Sequence, residues 1–202
     1  MKPEQDILKV IAAASDPVKI RTGRLRQNVE LNNHPELMTI ILHEGMIAIY
    51  RSKDHLLMRY SQGPMILGMN DLININENMY IKSLGDIRYE IIPMAQFNEI
   101  IDRENLWKEV AHILMYGIKR LVQAHQTTAG LTTYELIKNN LFNLMQESNE
   151  IRLNISASDY IREKTHLSRS RVMKILGELK IGGYIEIKRG TLMKVNKLPQ
   201  EF

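Results

Sequence analysis

The chain contains no cysteine. Disulfides, thiol nucleophiles, cysteine zinc sites and iron–sulfur clusters held in the usual way are thereby excluded. Long apolar runs are missing as well. No window approaches the roughly 18 uncharged residues of a membrane span, and Met38–Tyr50 is already interrupted by His43, Glu44 and Gly45. The opening Met1-Lys2-Pro3-Glu4-Gln5-Asp6 carries two acids where a secretory leader is basic, and Ile7–Ala14 is too short and broken for an export core. These features predict a cytoplasmic chain without a membrane partner. Catalytic signatures are also absent: there is no Gly-rich phosphate loop opening a helix, no H-E-x-x-H and no G-x-S-x-G elbow. The six His (His34, His43, His55, His112, His125, His166) are scattered, with no pair at i, i+4, and the acids stand singly. No catalytic residue, metal ligand or cofactor is expected, and the chain is not expected to be an enzyme.

What is present is ordinary in bulk and uneven in distribution. The 202 residues are 44% hydrophobic and 25% charged, enough for one domain or two small ones around packed cores. Of 27 Lys and Arg and 23 Asp and Glu, residues 151–202 hold 11 and 5, a local +6. The remainder holds 16 and 18, so a body at −2 carries a head at +6. Such asymmetry points to a module that meets a polyanion.

Between Val18 and Pro93 the pattern is that of short strands. Met38–Leu42, Met46–Tyr50, His55–Tyr60 and Tyr89–Ile92 are rich in β-branched and aromatic residues, and turn residues separate them at Glu44-Gly45, Ser52-Lys53-Asp54 and Gln62-Gly63-Pro64. This spacing predicts a small sandwich or barrel. After Pro93 the period becomes helical. Trp107, Val110, Leu114, Gly117, Leu121 and Ala124 step by 3, 4, 3, 4, 3, a heptad seam in a helix from Glu104 to about Gln126. A second stripe, Ala111, Met115, Ile118 and Val122, lies on another side, so the helix has two things to pack against. The seam is expected to be the dimer contact. Thr132–Met145 reads as a further helix, and Gln146–Arg152 as a polar connection.

The basic head is the most informative stretch. Ser156-Ala157-Ser158-Asp159 opens a short helix around Tyr160–Lys164, Thr165-His166-Leu167 is a turn, and Ser168 is a good N-cap for a second helix to about Lys180. Val172, Ile175, Leu176 and Leu179 form one apolar stripe on that helix. The opposite face centres on Ser170, Lys174 and Gly177, with Met173 beside them and Arg169 and Arg171 toward its edges. Gly182-Gly183 ends the helix, and Tyr184–Ile187 and Thr191–Val195 form a hairpin through Lys188-Arg189-Gly190. Helix, short turn, helix and basic-tipped hairpin make a winged helix-turn-helix, whose second helix enters the major groove of double-stranded DNA. Arg169, Ser170 and Lys174 are the expected base readers, because Arg reaches guanine O6 and N7 with two parallel hydrogen bonds. Ser168, Arg171, Lys188 and Arg189 are the expected phosphate contacts, and His166 lies in the turn where a phosphate would pass.

Ser168-Arg169-Ser170-Arg171-Val172-Met173-Lys174-Ile175-Leu176 resembles the recognition helix of Crp/Fnr-type transcription regulators, written S-R-x-x-V-x-[RK]-x-L. The resemblance places the family's first base-reading arginine on Arg169 and its later basic reader on Lys174. Its acidic reader falls on Ser170, so the family's usual half-site is not implied. Glu44–Tyr50 and Gln62–Gly68 resemble the strands of the cyclic-nucleotide domain, and the heptad helix resembles the family's dimer helix. Within this group the chain is most similar to the enterobacterial family called inhibitor of hydrogen peroxide resistance, on Glu104–Glu109, Leu167–Val172 and the ending Val195–Phe202.

Two departures bear on the input. Where cyclic-AMP-binding members carry a Gly-Glu-Leu turn and an Arg-Ser pair, this chain has Gly68-Met69-Asn70 and Glu77-Asn78. A carboxylate in place of the arginine repels a phosphate, so cyclic AMP is not expected to bind. The cysteines of oxygen-sensing members are absent too, and the 12 Met sit mostly at core spacing. The resemblance thus implies an α+β chain: a β-roll over 1–103, a dimerisation helix over 104–130 and a winged helix-turn-helix over 131–202. It implies a homodimeric, sequence-specific regulator of transcription, with RNA polymerase as a further partner and a stress (peroxide) response as its setting. The β-roll either takes an unidentified small-molecule effector or is filled by its own side chains. The alternative is a ligand-binding or interaction module whose winged helix docks a protein.

Overall fold

The computed structural model describes residues 2–30, 36–69, 79–126 and 131–200, with the backbone alone at 30, 121 and 123–126. The chain divides into two compact units, Met1–Val122 and Gln123–Phe202.

The first unit begins with helix α1 (Glu4–Ala14), continues through eight strands, and closes with helices α2 (Met94–Arg103) and α3 (Trp107–Gln126). The strands are β1 (Arg21–Gly23), β2 (Asn28–Glu30), β3 (Met38–Glu44), β4 (Met46–Arg51), β5 (Leu57–Gln62), β6 (Met65–Leu67), β7 (Met79–Ser83) and β8 (Ile87–Pro93). They form two four-stranded antiparallel sheets, ordered β1-β8-β3-β6 and β2-β7-β4-β5. The chain changes sheet at every step from β1 to β8 except between β4 and β5, which gives the β-roll expected of this region. Gly45 makes the change from β3 to β4 at φ +91, where a side chain would also collide with the Asp86 carbonyl. In β3, Ile40, Ile41 and Leu42 are all buried, because the strand is covered by the facing sheet on one side and by helices on the other. One core joins these strands to Ile7, Val10 and Ile11 of α1, to Phe97, Ile100 and Ile101 of α2, and to Val110 and Ile113 of α3.

All four strands expected in this unit are present and differ only at their ends, whereas two helices lie outside the sequence expectation. Both carry a short stripe at helical spacing, Ile7-Val10-Ile11-Ala14 in α1 and Met94-Phe97-Ile100-Ile101 in α2, and burial of that stripe against the roll stabilises them. The helix expected from Glu104 begins at Trp107, since Asn105 adopts φ 54 and breaks the chain between α2 and α3.

The second unit holds α4 (Thr133–Gln146), α5 (Asn149–Asn154), α6 (Ala157–Thr165), α7 (Arg169–Ile181) and the hairpin β9 (Ile185–Lys188)–β10 (Thr191–Val195). Thr132 and Glu135 form a reciprocal capping box at the start of α4. The polar connection expected over Gln146–Arg152 contains a helix instead. Ser148 caps α5 by accepting from the Ile151 amide, and Ile151 is buried under β10, so one apolar residue in a polar run is enough to anchor it. The core comprises Ile137, Leu141 and Leu144 of α4, Tyr160 and Ile161 of α6, Val172, Leu176 and Leu179 of α7, and Leu192 of the hairpin. The C-terminal segment is tied down by Tyr134 Oη and Lys138 Nζ, which donate to the Pro199 carbonyl at 2.8 and 3.0 Å. Burial, with a smaller contribution from Tyr184, raises the Tyr134 hydroxyl above its ordinary pKa, in keeping with its role as donor.

Candidate nucleic-acid interface

Local chemistry builds α7 and tertiary packing orients it. Ser168 stands at the N-cap with extended backbone (φ −62, ψ 146), and its Oγ accepts from the Arg171 amide at 3.3 Å. The turn before it is made by His166 at φ 56, a left-handed residue that ends α6 after one hydrogen bond from its amide to the Arg162 carbonyl. Thr165 Oγ1 accepts from the Leu167 amide and shapes the same turn. Val172, Leu176 and Leu179 then bury one face of α7, each burial contributing roughly 1.5–3 kcal/mol. Ile175 is only partly buried, at the edge of that face.

The geometry leaves the other face open. Ser168, Arg169, Ser170, Arg171, Met173 and Lys174 are all exposed. Among the described residues, Arg169, Arg171 and Lys174 make no ion pair, so their donors are free for an incoming group. Farther along the same face Gly177 has nothing within 4 Å of where a side chain would begin, which keeps the surface low. A helix N-terminus with free amides, three unpaired cations and a flat continuation can meet phosphates and base edges together.

The hairpin supplies the second part. Lys188 pairs with Thr191 across the ladder, so Arg189 and Gly190 form a two-residue turn. Their φ values of 50 and 88 are those of a type I′ turn, which matches the twist of the strands and places Gly where it is needed. The Ala157 amide donates to the Gly190 carbonyl at 2.8 Å, which ties this turn to the start of α6. Lys188 and Arg189 are exposed as expected. One feature escaped sequence reasoning: Lys188 Nζ lies 3.0 Å from Glu186 Oε1. The signal was available, because residues i and i+2 of a strand share a face.

The helix seam is placed differently from the expectation. Val110 is 1% exposed and Leu114 packs against the same core, so both are taken up by their own subunit. Gly117 is partly buried, while Trp107 is 39% exposed and its Nε1 donates to Asp102. The side chains of Leu121 and Ala124 lie outside the described residues, as do Asn70, Glu77 and Asn78 of the expected nucleotide pocket. The open stripe is the second one: Met115, Ile118 and Val122 are 56%, 60% and 49% exposed, with Ala111 beside them. The physical reason is that both stripes are apolar, and only the packing of the roll selects which one turns inward.

Comparison with known proteins agrees with this architecture. The family described as winged helix-turn-helix DNA binding matches residues 133–200. Over 190 residues the chain is 30% identical to the inhibitor of hydrogen peroxide resistance of Escherichia coli K12, covering 89% of this chain and 91% of that protein. Among solved structures, the c-di-GMP-responsive global regulator CLP of Xanthomonas campestris superposes with a TM-score of 0.74 at 14% identity, covering 96% of this chain and all of that one. A Crp/Fnr-family transcriptional regulator of Thermus thermophilus gives 0.63 at 17% identity, over 87% and 93%. The structural matches speak for the fold, and the sequence match for closer kinship. The chain belongs to the family of the inhibitors of hydrogen peroxide resistance, carries a winged helix-turn-helix of the DNA-binding kind over residues 133–200, and shares the fold of Crp/Fnr-type regulators.

Proposed function

We propose that the chain acts as a homodimer that binds a pseudo-palindromic DNA site and regulates transcription there. The observation that carries this reading is the open N-terminal face of α7, where Arg169, Arg171 and Lys174 have no partner among the described residues. Arg169, Ser170 and Lys174 read base edges. Ser168, Arg171, Lys188 and Arg189 hold phosphates. Two such helices enter successive major grooves about 34 Å apart. The roll over 1–103 is the sensing body, the helix over 104–130 joins the subunits, and 131–202 meets DNA. The exposed stripe Met115, Ile118 and Val122 favours this helix as the joint, since an apolar strip of that size is seldom left to water.

Selection of bound duplexes from a randomised pool tests the reading: a two-fold symmetric motif is expected, and recovery of unrelated sequences refutes it. Cyclic AMP is not the effector, on the residues at Gly68-Met69-Asn70 and Glu77-Asn78. Millimolar cyclic AMP is expected to leave the melting temperature unchanged, and a clear rise contradicts the assignment. The relatives' name makes a peroxide response the first physiological setting to examine, with RNA polymerase as the partner at promoters.

A further inference from the structure

With no thiol in the chain, the side chain that a mild two-electron oxidant meets first is the methionine thioether. Twelve are present, and folding sorts them. Met38, Met46, Met65, Met69 and Met94 are buried in the first unit. Among the described residues Met115, Met173 and Met193 stand exposed, Met173 at 50%. Met115 belongs to the open stripe of α3, and Met193 stands on β10 of the hairpin. Met173 is the methionine of α7, outside the buried face of Val172, Leu176 and Leu179.

Its place on that helix is specific. Arg169, Met173 and Gly177 follow one another at i, i+4 and i+8, one line along the open face, with Lys174 next to Met173. Gly177 has nothing within 4 Å of where a side chain would begin, so the thioether has no side chain beyond it on that line. Helical side chains lean toward the N-terminus, which lays Met173 over the turn that carries Arg169 and Ser170. Met173 is thus the one apolar group among the residues proposed to read bases. The apolar feature of the major-groove floor is the thymine methyl, and a flexible, polarisable thioether packs well on such a group.

We propose that Met173 is an oxidisable DNA contact: its thioether packs on a thymine methyl in the major groove, and its conversion to the sulfoxide by hydrogen peroxide releases the DNA. The inference rests on the DNA reading proposed above. In the step a sulfur lone pair attacks one peroxide oxygen, and the O–O bond breaks as the S–O bond forms. The departing hydroxide takes up the proton of the transferred oxygen and leaves as water. Sulfur is oxidised by two electrons and the peroxide is reduced by two. The product carries a polar oxygen where the groove offers a methyl group, and that oxygen must give up its water before the helix can dock. Met173 lies outside the core of the second unit, so the fold persists, and enzymatic reduction of the sulfoxide restores the contact.

Anisotropy titration of a fluorescent duplex carrying the selected two-fold motif, with the full chain before and after hydrogen peroxide, tests the proposal, and peptide mass spectrometry locates the sulfoxide. After treatment the wild-type chain should bind on the order of tenfold more weakly. Sulfoxide should be found at Met173, the melting temperature should be unchanged, and methionine sulfoxide reductases for both epimers should restore binding. The ratio of treated to untreated affinity should stay near one for Met173→Leu, whose side chain is apolar but has no sulfur. For Met193→Leu that ratio should fall as it does in wild type. Duplex present during treatment should slow oxidation at Met173 and leave Met193 unaffected. A reduced chain that binds no duplex refutes the DNA reading and the switch with it. Where the reduced chain binds, three results overturn the switch alone: affinity that survives full oxidation at Met173, a Met173→Leu chain that loses as much as wild type, or oxidation of Met173 at the same rate with and without duplex.

Discussion

Arg169 and Arg59 are the same residue in opposite circumstances. Arg169 stands at the exposed start of α7 with its donors in water. Arg59 closes a row of buried isoleucine and valine and is itself partly enclosed. In water a guanidinium costs the fold almost nothing, and its value is realised when a polyanion arrives and counterions leave. Against a core the same group is partly stripped of water, and this burial is the first cause that holds its pKa below the ordinary value. The comparison separates a cation kept in water, where a long, regular polyanion can reach it, from one that the edge of a sheet encloses beside the core.

The strongest way to break the comparison is to put an arginine on the wrong face of α7. Val172→Arg forces a cation into the core of the second unit, and a loss of about 3 kcal/mol or more is expected, read as collapse of the far-ultraviolet melting transition. Retention of wild-type melting shows that the inner face of α7 is not the buried one. Arg169→Ala comes next. It should cost about 1–3 kcal/mol of specific DNA binding in a mobility-shift titration, while the melting temperature stays put. Equal loss on all sequences reassigns Arg169 to the phosphates. Ser168→Ala removes the side chain that accepts from the Arg171 amide and should lower stability by about 1 kcal/mol in urea unfolding. An unchanged midpoint means that water caps α7 equally well. The smallest effect is expected at the wing. Lys188→Ala should weaken all duplexes alike and flatten the salt slope by about one unit. Because Glu186 already neutralises part of Lys188, Glu186→Gln should shift DNA affinity the other way. A Glu186→Gln chain that binds more weakly shows that the pair is needed intact.

Legibility from sequence follows the range of the interactions. The cap at Ser168, the stripe Val172–Leu179, the stop at Gly182 and the turn at Arg189-Gly190 rest on contacts between residues a few positions apart, and all lie where local patterning puts them. The helix α5 is hidden in the sequence because its cap and its single buried residue, Ile151, sit among polar neighbours that carry no periodic signal. The helices α1 and α2 do carry the periodic signal, in stripes of four residues each, but so short a stripe marks a helix only once the roll supplies the surface that buries it. On α3 the two stripes are visible, but the inward one is not. Val110 and Leu114 are claimed by the roll, and Met115, Ile118 and Val122 are left outside.

By itself the sequence determined the winged helix-turn-helix, its open cationic face and the absence of cysteine chemistry, since each depends on residue type and short spacing alone. Only the tertiary structure decided which face of α3 turns to the core and that α1 and α2 pack into the core of the roll. Those outcomes depend on strands and helices far apart in the chain arriving at one place, and no local pattern encodes where a row of side chains ends against another.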